Sequence, residues 1–228
     1  MICGGQANRM DVWNFNATIS GGASNELGWY SYGSTISGGV RNATGTDSTY
    51  STVGGGMGNV AGAAGVSGAT VGGGIRNRVG QTSFATIGGG TDNLIGGPGV
   101  SGTIAGGSGN NVGPYSSANT IGGGGGNSTG WAISFATVSG GRSNSVDGSH
   151  GTIGGGAANL IQSNTFNATI AGGEKNEIRA SGDAATISGG TSNLINDYAR
   201  SSVISGGRQN TISDRCTCLL YTSPSPRD

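Results

Sequence analysis

The chain has 228 residues, of which 51 are glycine and 4 are proline, and eleven acidic side chains balance eleven basic ones. A collagen helix is excluded because it needs glycine at every third position and abundant proline. A net charge of zero argues against nucleic-acid binding, and the sequence has no apolar run long enough for a membrane helix.

From the first residue onward the chain is built of thirteen repeats, most of them 17 residues long. We number each repeat from an isoleucine or valine at position zero. Positions +2 and +3 are Gly-Gly and position +6 is Asn in all thirteen repeats, position −1 is Thr in eleven, and position +8 is aliphatic or Met in ten. Position zero is occupied by Ile2, Ile19, Ile36, Val53, Val71, Ile87, Ile104, Ile121, Val138, Ile153, Ile170, Ile187 and Ile204.

This repeat predicts an all-β protein, a single-chain parallel β-solenoid with one coil per repeat over residues 1–213. Two adjacent glycines per repeat exclude helix, and a 17-residue unit buries a core only when it stacks on its neighbours. At one strand spacing per coil the rod is roughly 60 Å long. Strand alternation places positions −2, zero and +2 inside, and Gly at +3 supplies the positive φ of a corner.

The Asn at position +6 has two interpretations. Asn tolerates left-handed turns, and stacked Asn side chains form an amide ladder at a corner. The alternative is a track for calcium or another ligand. We favour the ladder, because a turn needs this residue in every coil whereas a binding site does not.

The aromatic residues lie in the arm, the variable segment that precedes position zero. Twelve of them fall three to seven residues before it. One interpretation is that they cover an edge of a thin core, and we favour it. The other is that they are exposed and stack on sugars or a partner. They are Trp13, Phe15, Trp29, Tyr30, Tyr32, Tyr50, Phe84, Tyr115, Trp131, Phe135, Phe166 and Tyr198.

No residue pattern in the sequence indicates catalysis. His150 is the single histidine, the carboxylates form no evident pair, and Cys3 stands alone within the repeats. We therefore predict a non-enzymatic protein with no catalytic, cofactor-binding or metal-binding residues, no cofactor and no nucleic-acid partner. Residues 214–228 do not follow the repeat, and we predict that they are a disordered tail that arose in transcript assembly.

The unit Ala-Thr-Ile-Ser-Gly-Gly-x-x-Asn, at residues 17–25 and 185–193, resembles the repeats of bacterial surface and tail-fibre-like proteins. It is similar to the heads of trimeric autotransporter adhesins. The resemblance implies a left-handed β-roll, a homotrimer, and a location outside the cell, on its surface or on a virion fibre. A meagre core of one or two aliphatics per coil also favours three rods packed together. A monomer is the alternative.

Three functions follow from these patterns. The first is a structural or adhesive rod of a surface or fibre protein, suggested by a long regular array. The second is ice binding through an outward Thr column at position −1. The third is binding of a surface glycan by the arm aromatics. The Thr column comprises Thr18, Thr35, Thr52, Thr70, Thr86, Thr103, Thr120, Thr137, Thr152, Thr169 and Thr186.

Overall fold

A computed structural model describes residues 1–215 and 219–220 and confirms the parallel β-solenoid. The described residues contain no helix, and every strand pair is parallel. Two thirteen-stranded sheets run along the rod, which makes about twelve turns. Each strand is two residues long and pairs with the equivalent residues of the neighbouring coils.

Positions −1 and zero of the repeats form the first sheet, to which the backbone of Leu219–Leu220 is added at one end. In the repeats from Thr18–Ile19 onward, position zero is buried and position −1 is at least partly exposed. The strands of this sheet, in sheet order, are β2 (Thr18–Ile19), β4 (Thr35–Ile36), β6 (Thr52–Val53), β8 (Thr70–Val71), β11 (Thr86–Ile87), β14 (Thr103–Ile104), β16 (Thr120–Ile121), β18 (Thr137–Val138), β20 (Thr152–Ile153), β22 (Thr169–Ile170), β24 (Thr186–Ile187), β26 (Val203–Ile204) and β28 (Leu219–Leu220).

The second sheet is formed by positions +7 and +8, and position +8 is again the buried one. A further pair in the arms consists of β10 (Thr82–Ser83) and β13 (Gly99–Val100). The strands of the second sheet are β1 (Arg9–Met10), β3 (Glu26–Leu27), β5 (Ala43–Thr44), β7 (Val60–Ala61), β9 (Arg78–Val79), β12 (Leu94–Ile95), β15 (Asn111–Val112), β17 (Ser128–Thr129), β19 (Ser145–Val146), β21 (Leu160–Ile161), β23 (Glu177–Ile178), β25 (Leu194–Ile195) and β27 (Thr211–Ile212).

The core is a thin layer between these two sheets. Position zero is fully buried from Ile19 to Ile204, and position +8 is buried from Leu27 to Ile212. Small residues at position −2, such as Ala69 and Ala136, fill the space beside them, as predicted. The core therefore closes within one chain, and stacking of coils rather than the size of any one side chain provides the burial.

The prediction that position +2 points inward is wrong. A Cβ built on Gly55, Gly89 or Gly123 would meet no atom within 4 Å. The reason is that the strands are only two residues long, so the chain has already turned at +2 and strand alternation no longer applies. Position +3 is the constrained one. Gly107 has a φ of 92°, and a Cβ there would lie 2.1 Å from the carbonyl oxygen of Gly124 in the next coil.

The Asn at position +6 forms the predicted corner ladder, and it is fully or almost fully buried from Asn25 to Asn193. Asn110 is representative. Its Nδ2 donates to the carbonyl of Gly106 at 2.9 Å and to that of Gly124 in the next coil at 3.1 Å. Its Oδ1 accepts the N–H of Asn127 at 3.0 Å, and its own N–H donates to Oδ1 of Asn93. Each Asn thus holds three coils together.

The predicted tail is described only in part. The backbone of Leu219–Leu220 forms β28, which pairs in parallel with β26, and Asp214 and Arg215 follow the last coil. The other residues predicted to be disordered, including Cys216 and Cys218, lie outside the described residues, and the prediction for them stays untested.

The ladder predicts that alanine substitutions at two neighbouring asparagines have very different effects on the free energy of unfolding. Asn110→Ala removes the side-chain partner of the Gly106 carbonyl and of the Asn127 N–H in a buried corner, and each unsatisfied group costs about 1–3 kcal/mol. It also removes one of the two bonds to the Gly124 carbonyl, which keeps the N–H of Ser108. We expect a loss of at least about 3 kcal/mol in the free energy of unfolding, measured by urea denaturation. Asn111→Ala, at an exposed position, is the control and should change it by less than about 0.5 kcal/mol. Equal effects would contradict the ladder.

Alanine substitutions at the two adjacent glycines, at positions +2 and +3, should also differ in their effect on the free energy of unfolding. Gly107→Ala forces a Cβ into the next coil at a left-handed position, so we expect a loss of roughly 3 kcal/mol or more. At Gly106 the nearest atom to a built Cβ is 4.0 Å away. Gly106→Ala should therefore leave the unfolding free energy within about 1 kcal/mol of the parent. A severe loss from Gly106→Ala would restore the inward assignment of position +2.

Candidate functional site

The twelve arm aromatics form an exposed edge of the rod, which we call the aromatic edge. Their exposed fractions range from 40% for Tyr32 to 68% for Trp131. The favoured prediction, that these side chains cover the core, is therefore wrong. The alternative prediction, that they are exposed, is confirmed as a matter of structure.

The core beneath the arms is filled by other residues, at position −5. Ser48, Thr82 and Thr165 are buried there, and Val66 and Ile133 occupy the same position in other coils. The hydroxyls are satisfied within the coil stack: Ser48 Oγ donates to the carbonyl of Ala63 at 2.9 Å, for example. Because position −5 closes the core, the rings at positions −3, −4, −6 and −7 are not needed for that purpose.

Several aromatic residues adopt a backbone conformation that bulky side chains normally avoid. Seven of the twelve have a φ between 53° and 63°, whereas other coils place Gly33 or Gly68 at position −3 without strain. A left-handed conformation costs a non-glycine residue roughly 1–2 kcal/mol. The same corners hold smaller or polar residues in other coils, such as Ala118 at position −3 and Asp47 at position −6, so this conformation belongs to the turn and the turn tolerates an aromatic residue. The seven are Trp13, Tyr30, Tyr50, Phe84, Tyr115, Phe135 and Tyr198.

Neighbouring rings contact one another along the edge. Trp13 stacks on Tyr30 with 6.4 Å between ring centroids, and Tyr32 meets Tyr50 edge to face at 5.5 Å. Tyr115 and Trp131 are 5.7 Å apart. These pairs limit the motion of exposed rings and join them into larger apolar surfaces.

The shortest coil opens a notch in the aromatic edge. Only 15 residues separate Val138 from Ile153, and the arm between them is correspondingly short. The resulting cavity has a volume of about 360 Å³. We call it the notch, and its lining residues are Trp131, Ala132, Ile133, Asp147, Ser149, Ser163, Asn164, Thr165 and Phe166.

Asp147 is the one titratable residue of the notch lining. Burial raises the pKa of its carboxyl above the ordinary range, although the hydrogen bond from Ser145 opposes this shift. Oδ1 of Asp147 lies 3.2 Å from Ser145 Oγ. Gly130 makes room for this carboxylate, because a Cβ there would lie 2.6 Å from Oδ1. The notch therefore carries a partly desolvated negative charge beside apolar walls.

The predicted Thr column lies on the first sheet, away from the notch lining. Its eleven threonines pair in register from Thr18 to Thr186, so their side chains repeat at every coil. Ten of the residues are partly exposed, and Thr86 is exposed. The outward column is confirmed as a structural feature.

Residues that carry reactive groups are dispersed. His150 stacks on Phe135, with 5.0 Å between the two ring centroids. Cys3 is an exposed free thiol. Arg76 forms a hydrogen-bonded ion pair with Asp92 in the next coil. The hydrogen bond from Arg76 lowers the pKa of the Asp92 carboxyl. Across residues 1–215 and 219–220, no three His, Cys, Asp or Glu side chains are grouped to hold a metal ion. The same part of the chain has no helix suited to crossing a membrane.

Comparison with known proteins identifies no relative. No protein-family model matches the chain, and no curated protein matches it. The solenoid expected from the adhesin and tail-fibre resemblance is confirmed, whereas that identity stays a prediction.

Substitutions at two residues of the notch lining test whether the core depends on position −5 or on the aromatic edge. Trp131→Ala should change the free energy of unfolding by no more than about 1 kcal/mol, because the ring packs mainly against Tyr115. Ile133→Ala, two residues later and 6% exposed, should cost about 2–5 kcal/mol. Urea denaturation monitored by circular dichroism measures both. A larger loss from Trp131→Ala would show that the aromatic residue supports the core.

Proposed function

We propose that the protein is a non-enzymatic adhesive rod that binds carbohydrate along its aromatic edge. The observation that carries this proposal is the exposure of all twelve arm aromatics on a frame that does not need them. Sugar rings have an apolar face of C–H groups, which stacks on indole and phenyl rings. Tyrosine and tryptophan are also the residues most enriched where proteins bind their partners.

The repeating frame suits weak binding at many points. Coils follow one another at about 4.8 Å, so the rings of neighbouring coils are held at fixed heights along the rod. The Asn ladder keeps this spacing rigid. Linked weak sites that engage one polymer together gain affinity by a factor of about 10²–10⁴ over a single site. A rod of this kind fits a polysaccharide or a glycan-covered surface.

Location and assembly belong to the same proposal. A glycan-binding rod meets its ligand outside the cell, on the cell surface or on a virion fibre, as the resemblance implies. We retain the homotrimer as the assembly that the resemblance favours. Sedimentation equilibrium tests it, since a mass of one chain would contradict the trimer and leave carbohydrate binding unaffected.

Carbohydrate binding predicts a specific loss on an array of immobilised oligosaccharides. We expect the parent chain to bind neutral glycans. A variant with Trp29→Ala, Tyr50→Ala and Trp131→Ala should lose at least tenfold in binding signal, because it removes three stacking surfaces spread along the edge. Thr103→Tyr, on the first sheet, is the matched control and should bind normally. Absence of binding by the parent, or equal binding by the aromatic variant, would contradict the proposal.

The register of the Thr column favours ice binding as a second candidate. Eleven threonines repeat at the coil spacing on one sheet, which presents methyl and hydroxyl groups at regular intervals. The adjacent outward position +1 holds only Ser, Gly, Ala or Cys, so a second Thr rank is absent from this face.

Thermal hysteresis measures this second candidate with the same two variants. If ice binding is the function, millimolar protein shows hysteresis, Thr103→Tyr abolishes it because the ring interrupts the flat column, and the triple aromatic variant retains it. A parent chain without hysteresis would exclude ice binding.

A further inference from the structure

We propose that the notch is a subsite for one uncharged pyranose ring, an inference that rests on the proposed carbohydrate binding. The notch lies where the arm of one coil is short, between aromatic side chains of the coils before and after it. Its floor is polar and carries one carboxylate. These features correspond to the two faces of a sugar, which has apolar C–H groups and a rim of hydroxyls.

The notch originates in the repeat length. The arms on either side span residues 130–136 and 162–168, whereas the short arm spans only residues 147–151. Two residues are missing there, so the short arm leaves open the space between Trp131 and Phe166, although its His150 contacts the aromatic edge at Phe135. The side chains of the two neighbouring coils therefore face a gap instead of another arm.

The gap is the height of one coil. Trp131 and Phe166 belong to coils that are two steps apart, which is about 9.6 Å along the rod. A sugar ring between their side chains would occupy the level of the short arm, one step of about 4.8 Å from each of the two coils. Both side chains are more than half exposed, at 68% and 51%, so they are free to stack on a ligand.

The floor offers hydrogen-bonding groups that the described protein does not use. The carboxylate of Asp147 accepts a bond only from Ser145, which leaves its second oxygen free among the described residues. Ser149 Oγ accepts the N–H of Ser134 at 3.2 Å, and its hydroxyl hydrogen has no acceptor in the same part of the structure. The side chain of Asn164 is exposed beside them. An acceptor, a donor and an amide in one cavity match adjacent sugar hydroxyls.

The charge of the notch selects among sugars. Asp147 is the one charged residue of the lining, so the cavity repels carboxylated and sulfated sugars and accepts uncharged ones. A second cavity, of about 460 Å³, has no such character. It lies beside another shortened coil but has no aromatic residue in its lining, which is Ala63, Arg78, Gly80, Gln81, Leu94, Gly96 and Gly97. A short arm alone therefore does not create the aromatic walls of the notch.

The indole N–H resonances of ¹⁵N-labelled protein test this inference directly. The chain has 3 tryptophans, and substitution of each assigns its signal. We expect titration with methyl β-glucoside, methyl β-galactoside and N-acetylglucosamine to shift the Trp131 signal with at least one of them, while the Trp13 and Trp29 signals report binding elsewhere on the aromatic edge. N-acetylneuraminic acid should bind at least tenfold more weakly.

Two variants test how the Phe166 wall and the Asp147 carboxylate of the notch contribute to sugar binding. Phe166→Ala should weaken binding of the sugar that shifts Trp131 by at least tenfold, whereas Met57→Ala, at an exposed apolar residue outside the aromatic edge, should leave that affinity unchanged. Asp147→Asn keeps the shape of the side chain and removes its charge, so it should reduce the discrimination against N-acetylneuraminic acid. The unfolding midpoint of each variant confirms that it is folded.

The outcomes separate this inference from the broader proposal. If the parent binds the glycan array but sugars shift Trp13 or Trp29 and not Trp131, the notch is not the subsite and carbohydrate binding by the edge stands. A Trp131 shift that survives Phe166→Ala also overturns the two-walled notch. If the parent binds neither the array nor the monosaccharides, both proposals fall.

Discussion

The stacked side-chain amide of the Asn at position +6 is the interaction on which the rest of the molecule depends. The Gly-Gly corner interrupts strand pairing and leaves backbone groups without partners in the sheets. Each Asn supplies those partners, because its Nδ2 donates to carbonyls of its own coil and the next, and its Oδ1 accepts an N–H of the next coil. Five steps add a direct amide–amide bond, as between Asn77 and Asn93. The alignment of all the aliphatic residues above and below follows from this column.

The features that recur in every repeat were predictable from the sequence, because burial at the same place in each coil constrains composition. Positions −2, zero and +8 are of this kind. The outward direction of position +2 was not predictable, since alternation fails where a strand is only two residues long. The left-handed corner at position +5 also escaped prediction. It is occupied by residues as different as Arg41, Asp92 and Lys175, so composition gives no sign of it.

The aromatic edge was only partly predictable from the sequence. The clustering of aromatics in the arms is evident, but composition alone favours placing large rings over a thin core. Their exposure depends on position −5, where buried residues such as Thr165 and Ile133 already close that core. More of the notch than of the aromatic edge was evident in the sequence. The 15-residue step and the rings at Trp131 and Phe166 can be read from the sequence, whereas the cavity between them depends on how three coils stack.

The backbone bonds of each coil run in both directions along the rod. Strand amides donate to the following coil, as Thr103 does to Asn119, while amides at the left-handed corners donate to the preceding coil, as Phe84 does to Ser67. A coil in the middle is thus anchored to both neighbours at several points of its circumference. A force applied to a ring of the aromatic edge is therefore distributed over many backbone hydrogen bonds between coils. Fraying from a terminus breaks those bonds one turn at a time, so the turns in the middle of the rod are the last to open.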